Sequence, residues 1–351
     1  MADTAVTIEL EHLTKTYAGV AAPAVDDVSM TIPAGELVVF LGPSGCGKTT
    51  TMKMINRLIE PTSGVIRIGG EDVLGTDPVE LRCRIGYVIQ SIGLFPHMTI
   101  ADNIASVPKM LGWPKARIAG RVEELLTLVG LDPATFARRF PRQLSGGQQQ
   151  RVGVARALAA DPPVLLMDEP FGATDPITRL RLQREFRRLQ QDLGKTVIFV
   201  THDFDEALVL GDRIAVLAER SRIAQYAAPL ALLANPADDY VRSFTGNSTH
   251  VRLLGILTAD TAADPGVIGH GAEPELTTAA TLRDVTELLL AGHATVAVLD
   301  QTGTRLGGAD FTTVRRAVAA AQAQARPAEE TDADADSDAD ADSVSDTEIP
   351  A

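Results

Sequence analysis

Short, strongly apolar runs recur through the first two thirds of the chain. Residues 35–42 (GELVVFLG), 162–170 (PPVLLMDEP) and 195–203 (KTVIFVTHD) are apolar through their centres and end in glycine or acidic residues. Continuous apolar runs of this length are typical of strands that are buried on both faces of a parallel sheet. These three runs therefore predict a buried, mainly parallel sheet.

Amphipathic stretches lie between the apolar runs. Residues 51–59 place Met52 and Ile55 at helical spacing, a short glycine-containing stretch after the first predicted strand. A second helix is predicted between the last two strands, with arginines on one face and an apolar face formed by Leu180, Phe186, Leu189 and Leu193. Buried strands that alternate with helices predict an α/β fold over residues 6–246, with helices covering both faces of the sheet.

The composition changes near residues 235–250. Beyond that point the pattern predicts a helix over 281–292, a strand over 294–300 and a final helix over 311–325. We interpret residues 250–325 as a small second domain of the α+β class. From Pro327 the chain is an Asp-Ala repeat that cannot bury a core, which predicts a disordered acidic tail over 327–351.

Charge and composition limit the function classes. Of the net charge of −14, ten negative charges lie after Arg326, which leaves −4 for the preceding residues. Such a balance argues against a nucleic-acid partner, because that binding depends on neutralising phosphates. The chain has only two cysteines, no apolar run of membrane-spanning length and no signal-peptide pattern at its start. These features predict a protein of the reducing cytosol.

A glycine-rich loop follows the first predicted strand and precedes the first predicted helix. Its sequence has the form G-x-x-x-x-G-K-T, in which glycines let backbone N–H groups surround phosphates and the lysine reaches the terminal phosphates. The threonine hydroxyl is a ligand for Mg²⁺. The loop predicts a site for a nucleoside triphosphate and Mg²⁺ formed by Gly42, Pro43, Ser44, Gly45, Cys46, Gly47, Lys48, Thr49 and the adjoining Thr50. Cys46 is either a small side chain that fits the loop or a redox-sensitive thiol.

Two acidic residues end the second apolar strand. Asp168 stands where the carboxylate of a nucleotide-binding strand approaches Mg²⁺, and Glu169 follows it directly. We therefore expect Asp168 to be a metal ligand together with Thr49. Glu169 is the expected catalytic residue that polarises the attacking water.

A second anion-binding pattern lies at residues 144–148. Ser145, Gly146, Gly147 and Gln148 open a predicted helix, whose N-terminus favours a phosphate. A monomer does not need two such sites, so this one is expected to meet the ATP of a facing subunit. With this LSGGQ sequence and both nucleotide motifs, the chain resembles the ATP-binding subunits of ABC transporters over about residues 6–246.

That resemblance implies a P-loop NTPase of the ABC type, with a mainly parallel sheet and a helical subdomain. It implies that Tyr17 stacks on adenine, that Gln90 contacts Mg²⁺ at the nucleotide and reports the nucleotide state to the membrane partner, and that Asp175 is exchanged across an ATP-dependent dimer. It also implies that His202 holds the γ-phosphate, so that the catalytic set is Lys48, Glu169 and His202. Thr174 departs from the family, where many members carry leucine, and should tune dimer packing only.

The resemblance also implies partners and location. Two membrane-spanning permease subunits and an extracellular solute-binding protein are expected, with this chain bound to the permeases at the cytoplasmic face of the membrane. The segment 85–100 and FGATDPITR at 171–179 resemble importers of quaternary amines and other osmoprotectants such as glycine betaine. Phe95, Pro96 and His97 would lie where the permeases dock. Importers of other polar solutes such as amino acids, a soluble ABC-type ATPase and a nucleotide-binding regulator without activity are the alternatives.

Residues 281–318 resemble a cystathionine-β-synthase (CBS) module: a helix, a strand, the turn Asp300–Gly303, a short strand and a helix. Osmoprotectant importers commonly carry such modules in pairs, whereas this chain has one recognisable copy and a possible degenerate copy in 251–280. A regulatory domain and a stabilising dimerisation domain are both consistent with it. The acidic tail is either a solvated segment or an ionic-strength sensor that leaves a basic surface as salt screens it.

Overall fold

The computed structural model describes residues 5–89, 93–172, 175–246, 249–269 and 273–324. Among these residues the strands are Ile8–Lys15 (β1), Val25–Ile32 (β2), Leu37–Leu41 (β3), Ser63–Ile68 (β4), Glu71–Asp72 (β5), Ile85–Val88 (β6), Val164–Asp168 (β7), Thr196–Thr201 (β8), Arg213–Leu217 (β9), Ile223–Ala227 (β10), Glu275–Thr277 (β11), Val296–Leu299 (β12) and Arg305–Ala309 (β13).

The helices over the same ranges are Lys48–Ile55 (α1), Pro78–Cys83 (α2), Ile100–Ile104 (α3), Ser106–Met110 (α4), Lys115–Leu128 (α5), Pro133–Phe136 (α6), Gly146–Leu158 (α7), Pro176–Leu193 (α8), Phe204–Leu210 (α9), Pro229–Ala234 (α10), Asp239–Thr245 (α11), Thr249–Ile256 (α12), Leu282–Leu290 (α13) and Phe311–Gln324 (α14). None of them combines the length and the apolarity that crossing a bilayer requires.

The central sheet has the order β10-β9-β3-β8-β7-β6. Its five strands from β9 to β6 are parallel, and β10 joins the edge antiparallel. All five residues of β3 are buried, as the apolar run predicts, because both faces of the strand are covered. Leu41 pairs with Thr201 and Asp168 with Val200, so the carboxyl ends of β3, β7 and β8 meet at one edge.

A second, antiparallel sheet of order β2-β1-β4-β5 packs near the first. Sequence analysis did not identify it, although β2 alternates buried and exposed positions. Val38 and Phe40 of β3 lie in the same apolar cluster as residues of this sheet and of α1. The opposite face of β3 contributes Leu37 and Val39 to the larger cluster that includes the helices between β6 and β7.

The helical part between β6 and β7 holds α3 to α7. Within α5 the buried residues Ile118, Val122, Leu125 and Leu126 follow the spacing of a single helical stripe. Helix α7 packs against α3, α5 and β6, which joins this part to the edge of the central sheet.

One sequence prediction about α8 is wrong. Leu180 was expected on the apolar face, but half of it is exposed (50%). The buried positions are Leu182 and Phe186, and the partly buried Leu189 and Leu193 continue the same stripe. Leu180 stands two residues before Leu182, which places it on the other side of a helix of 3.6 residues per turn.

The C-terminal unit has the element order α12-β11-α13-β12-β13-α14. Strand β11 pairs parallel with β12, and β12 pairs antiparallel with β13. The helices and strands expected over 281–325 are present, whereas β11 was not foreseen. Helices α12 and α14 pack against α10, and α12 also packs against α9, so the unit contacts the larger one. Its identification as a CBS module stays a prediction, and the acidic tail 327–351 lies outside the described residues.

Candidate nucleotide site

The loop 42–47 connects β3 to α1 and has a conformation that requires glycine. Gly47 has φ +111°, and a Cβ there would lie 2.2 Å from Oγ of Ser221 and 2.7 Å from the carbonyl oxygen of Ala24. A Cβ on Gly42 would lie 2.3 Å from the carbonyl oxygen of Leu217. At Gly42 and Gly47 the backbone therefore approaches its neighbours too closely for a side chain. The loop leads into the N-terminus of α1, where backbone N–H groups favour a phosphate.

Lys48 is the first residue of α1, and its side chain is folded into the loop. Its Nζ donates to the carbonyl oxygens of Gly42 at 2.6 Å and Pro43 at 2.9 Å, and lies 3.8 Å from Sγ of Cys46. The residue is only 6% exposed. The ammonium group is thus held at the loop, where a phosphate can compete with the carbonyl oxygens for its protons.

Thr49 and Asp168 come together although 119 residues separate them. Oγ1 of Thr49 donates to Oδ1 of Asp168 at 3.3 Å. Burial raises the pKa of the Asp168 carboxyl, and the hydrogen bond from Thr49 partly offsets that rise. A hydroxyl and a carboxylate are the oxygen ligands that Mg²⁺ prefers, and Mg²⁺ usually takes only one or two protein side chains beside phosphate oxygens and water. The pair fits this pattern, and among the described residues no group of three or more His, Cys, Asp or Glu side chains is placed to hold a metal ion by itself.

Glu169 and His202 also meet at the carboxyl edge of the sheet. Glu169 has φ +45°, a conformation uncommon for residues other than glycine, and its N–H donates to the carbonyl oxygen of Val200 at 3.0 Å. Nδ1 of His202 lies 3.1 Å from Oε1 of Glu169. The imidazole is mostly exposed (61%) while the carboxylate is mostly covered (19%). The structure thus joins these two predicted catalytic residues in one hydrogen bond beside the loop.

Ser145 caps α7, the helix that the second anion-binding pattern opens. Its Oγ accepts from the N–H of Gln148 at 3.3 Å, and Oε1 of Gln148 accepts from the N–H of Ser145 at 2.9 Å. This reciprocal pair is a capping box, and Gly146 and Gly147 lie inside its first turn. Because Oγ acts as an acceptor in the cap and uses one of its two lone pairs there, the hydroxyl proton can still be donated to a further acceptor.

Two further predicted site residues, Tyr17 and Asp175, lie within the described part of the chain. Tyr17 is 43% exposed, and its ring centroid lies 5.3 Å from Nζ of Lys15. Asp175 is exposed, and its carbonyl oxygen accepts from the N–H of Arg179 at 2.8 Å. Gln90 and Thr174 lie outside the described residues. The roles assigned to all four stay predictions.

Ser221 forms a hydrogen bond with the backbone of the loop 42–47, and sequence analysis did not identify this contact. Its N–H donates to the carbonyl oxygen of Cys46 at 2.6 Å, and its Oγ lies 3.3 Å from Oγ1 of Thr51. Ser221 and Arg220 have φ of +60° and +61°, and Ser221 is fully buried. Such a turn ordinarily uses glycine or asparagine, so the residue types carried no signal for this contact.

Glu206 was also missed. Its Oε2 accepts from Oγ1 of Thr201, the residue before His202, and its Oε1 accepts from Nε2 of Gln183 at 2.9 Å. Burial raises the pKa of the Glu206 carboxyl, although the hydrogen bonds from Thr201 and Gln183 lower it in part. A glutamate in a helix pattern is ordinarily solvated, so only the packed structure reveals this network.

We expect Glu206→Gln to raise the thermal stability of the nucleotide-free protein at neutral pH. The pKa of Glu206 in the folded protein lies above the ordinary 4.5, so folding favours the protonated carboxyl. The resulting stabilisation is complete below pH 4.5 and is lost as the pH rises through the pKa of the folded protein. The amide does not ionise, so the advantage of the variant should grow between about pH 4 and pH 7. Thermal unfolding of both proteins over this range measures it, and a difference that stays constant with pH would contradict the expectation.

Comparison with known proteins places these features in a family. The family described as "ABC transporter" matches residues 25–172. The osmoprotectant import ATP-binding protein OsmV of Salmonella typhimurium is 57% identical over 260 residues, which cover 73% of this chain and 68% of OsmV. The glycine betaine uptake system ATP-binding protein YehX of Escherichia coli is 48% identical over 308 residues, which cover 87% of this chain and 97% of YehX.

Because the match with YehX is longer than residues 1–246, it extends into the C-terminal unit. Among solved structures, the dimeric structure of MJ0796, a bacterial ABC transporter cassette, has a TM-score of 0.58 and 36% sequence identity. It covers 63% of this chain and 98% of that chain, so a whole cassette corresponds to part of this protein.

Proposed function

This chain belongs to the ATP-binding proteins of ABC transporters, and from that premise we propose that it hydrolyses ATP to energise an importer of quaternary amines and related osmoprotectants such as glycine betaine. The observation that carries the substrate class is the similarity to OsmV and YehX, which are named for osmoprotectant and glycine betaine uptake. The segments 85–100 and 171–179 support the same class.

The nucleotide site supplies the chemistry for ATP hydrolysis. The N–H groups of residues 42–49 and the ammonium of Lys48 bind the phosphates and stabilise charge that develops on them. Thr49 and Asp168 would hold Mg²⁺, with Gln90 as a further ligand by resemblance. When bound, Mg²⁺ neutralises phosphate charge.

Glu169 and His202 act on the attacking water and the γ-phosphate. The carboxylate of Glu169 orients the water and accepts its proton, while the imidazole holds the position of the terminal phosphate. Their hydrogen bond of 3.1 Å keeps both groups at the same edge of the sheet before the nucleotide arrives. Each residue is thereby oriented by the other.

The complete site needs a second subunit. Ser145, Gly146, Gly147 and Gln148 lie at the N-terminus of α7, where the helix dipole and the open N–H groups favour an anion. In the proposed dimer this terminus meets the γ-phosphate of ATP on the facing subunit, and Asp175 lies at the same interface. The dimeric form of the similar cassette MJ0796 supports this arrangement.

The permease subunits are proposed to dock in a groove of about 410 Å³ beside β6. Phe95 and Met110 are 43% and 70% exposed at this groove, so an apolar segment of a partner would bury them. Arg156 also lines it, and its side chain donates to the carbonyl oxygen of Gly93 at 2.7 Å. The chain would thus be a peripheral protein on the cytoplasmic face, and an extracellular binding protein would deliver the solute.

ATP-driven uptake into liposomes tests the proposed function. With its permease subunits and binding protein reconstituted, we expect this chain to support uptake of labelled glycine betaine when ATP is enclosed with it. Glu169→Gln in the same preparation should abolish uptake and leave the complex assembled. A series of internal salt concentrations would also test the acidic tail, since uptake that rises with salt would favour the ionic-strength sensor.

Two outcomes would separate the parts of the proposal. ATP hydrolysis without uptake of glycine betaine, choline or carnitine would contradict the substrate class and leave the ATPase role intact. Absence of ATP hydrolysis in the assembled complex would contradict the ATPase role itself.

A further inference from the structure

Helix α9 begins two residues after His202, so its first turn sets where the imidazole can lie. Asp203 caps this turn, because its Oδ1 accepts from the N–H groups of Asp205 at 2.9 Å and Glu206 at 3.1 Å. His202 lies between this cap and Thr201, the last residue of β8. A shift of the first turn of α9 therefore moves the backbone that carries His202.

The inner side of this turn is tied to the central sheet and to α8. Glu206 bonds with Thr201 on one oxygen and with Gln183 on the other, and all three residues are buried. Thr201 Oγ1 also accepts from the N–H of Asp203 at 3.0 Å. These bonds connect the residues before and after His202 with each other.

The outer side of the same turn is held by Arg252, which belongs to α12 of the C-terminal unit. Nε of Arg252 donates to Oδ1 of Asp205 at 2.7 Å, and its guanidinium lies 4.9 Å from the centre of the Phe204 ring. The same side chain donates from NH1 to the carbonyl oxygens of Phe244, at 3.2 Å, and Thr245, at the end of α11. Only 21% of the Arg252 side chain is exposed.

These contacts use the particular chemistry of arginine. One planar group bonds a carboxylate, lies against an aromatic ring and supplies donors to the last carbonyl groups of a helix. An exposed ion pair alone contributes little, but here it is combined with partly buried hydrogen bonds that fix the guanidinium. Arg252 thereby joins α9, α11 and α12 at one point.

We propose that Arg252 is a positioning residue for His202, through which the C-terminal unit sets the rate of ATP hydrolysis. This inference rests on the proposed ATPase function. When Arg252 is in place, the first turn of α9 is held from both sides and His202 stays beside Glu169. A displacement of α12 releases the outer side and loosens the imidazole, while the phosphate loop on β3 keeps its own contacts.

Steady-state ATP hydrolysis by the full chain in complex with its permeases tests this. We expect Arg252→Ala to lower kcat about tenfold with KM for ATP nearly unchanged, because small misplacements of a catalytic group reduce rate more than binding. Asp205→Asn should lower kcat in the same direction, and the double variant should be no slower than Arg252→Ala. Arg252→Lys retains the charge opposite Asp205 and should restore part of the rate.

Arg316→Ala is the matched control, because Arg316 pairs with Asp264 inside the C-terminal unit. It should leave kcat unchanged. A second readout separates positioning from stability: the NMR signals of the His202 ring, assigned with His202→Gln, should shift in Arg252→Ala and in Asp205→Asn but not in Arg316→Ala. Asp205 is exposed (67%), so its variant remains informative even where Arg252→Ala does not fold.

Unchanged kcat and unchanged His202 signals in Asp205→Asn would overturn the inference. A loss of rate that Arg316→Ala reproduces would also overturn it, since that result indicates general destabilisation of the C-terminal unit. Neither outcome touches the proposed function, which fails only if the wild-type complex has no ATP hydrolysis that Glu169→Gln removes.

Discussion

Glu169→Gln is expected to bind ATP and to hydrolyse it about 10²- to 10⁴-fold more slowly than the wild type. Glutamine keeps the volume of the side chain and an oxygen that can face Nδ1 of His202, but it cannot accept a proton from water. The phosphate loop and the Thr49–Asp168 pair are unchanged, so ATP affinity should be retained. Phosphate release measures the rate, and titration with a fluorescent ATP analogue measures the affinity.

The same variant should accumulate as an ATP-bound dimer, because the γ-phosphate that bridges the two subunits is no longer removed. Sedimentation with and without ATP detects that dimer. Glu287→Gln is the matched control, since Glu287 is an exposed glutamate on α13 of the C-terminal unit, and it should behave as the wild type. Near-normal turnover in Glu169→Gln would contradict the assignment of Glu169 as the proton acceptor.

Gly47→Ala is expected to lower both the stability of the protein and its affinity for ATP. The added methyl group would lie 2.2 Å from Oγ of Ser221 and 2.7 Å from the carbonyl oxygen of Ala24, at a φ of +111°. Backbone strain and overpacking together should lower the free energy of unfolding by about 2–4 kcal/mol. Displacement of the loop amides should weaken ATP binding more than about tenfold, which corresponds to the loss of a single charge-assisted hydrogen bond.

Gly45→Ala separates strain from steric overlap. Gly45 has φ +82°, but no atom lies within 4 Å of a Cβ built there, so this variant has the backbone strain alone. Its unfolding free energy should fall by about 1–2 kcal/mol, less than that of Gly47→Ala. Adding Ser221→Gly to Gly47→Ala removes one of the two close contacts and should recover part of the stability. Urea unfolding of the four proteins measures these differences, and equal losses in both single variants would contradict the steric explanation.

The central parallel sheet of residues 6–246 was largely predictable because its strands are buried on both faces. Short apolar runs such as LVVFL and VLLMD, with turn residues beside them, favour strands of a covered sheet, and the residues that end them carry the chemistry. The antiparallel sheet was missed because its strands are only half buried and their alternation is interrupted by irregular pairing between β1 and its neighbours. Leu180 was misplaced for a similar reason, since two overlapping stripes fit α8 and only packing selects one.

Sequence alone determined the family, the nucleotide loop and the residues expected to act on ATP, because these properties depend on residue types at short, fixed spacings. The tertiary structure decided which distant residues act together. The pairs Thr49–Asp168 and Glu169–His202 meet because parallel strands align their carboxyl ends. Ser221 contacts Thr51 of α1 although 170 residues of chain separate them. Arg252 contacts Asp205 of α9 across 47 residues. No local sequence pattern encodes contacts between residues so far apart in the chain. Only the folded chain brings these side chains to the loop and to the helix that follows His202.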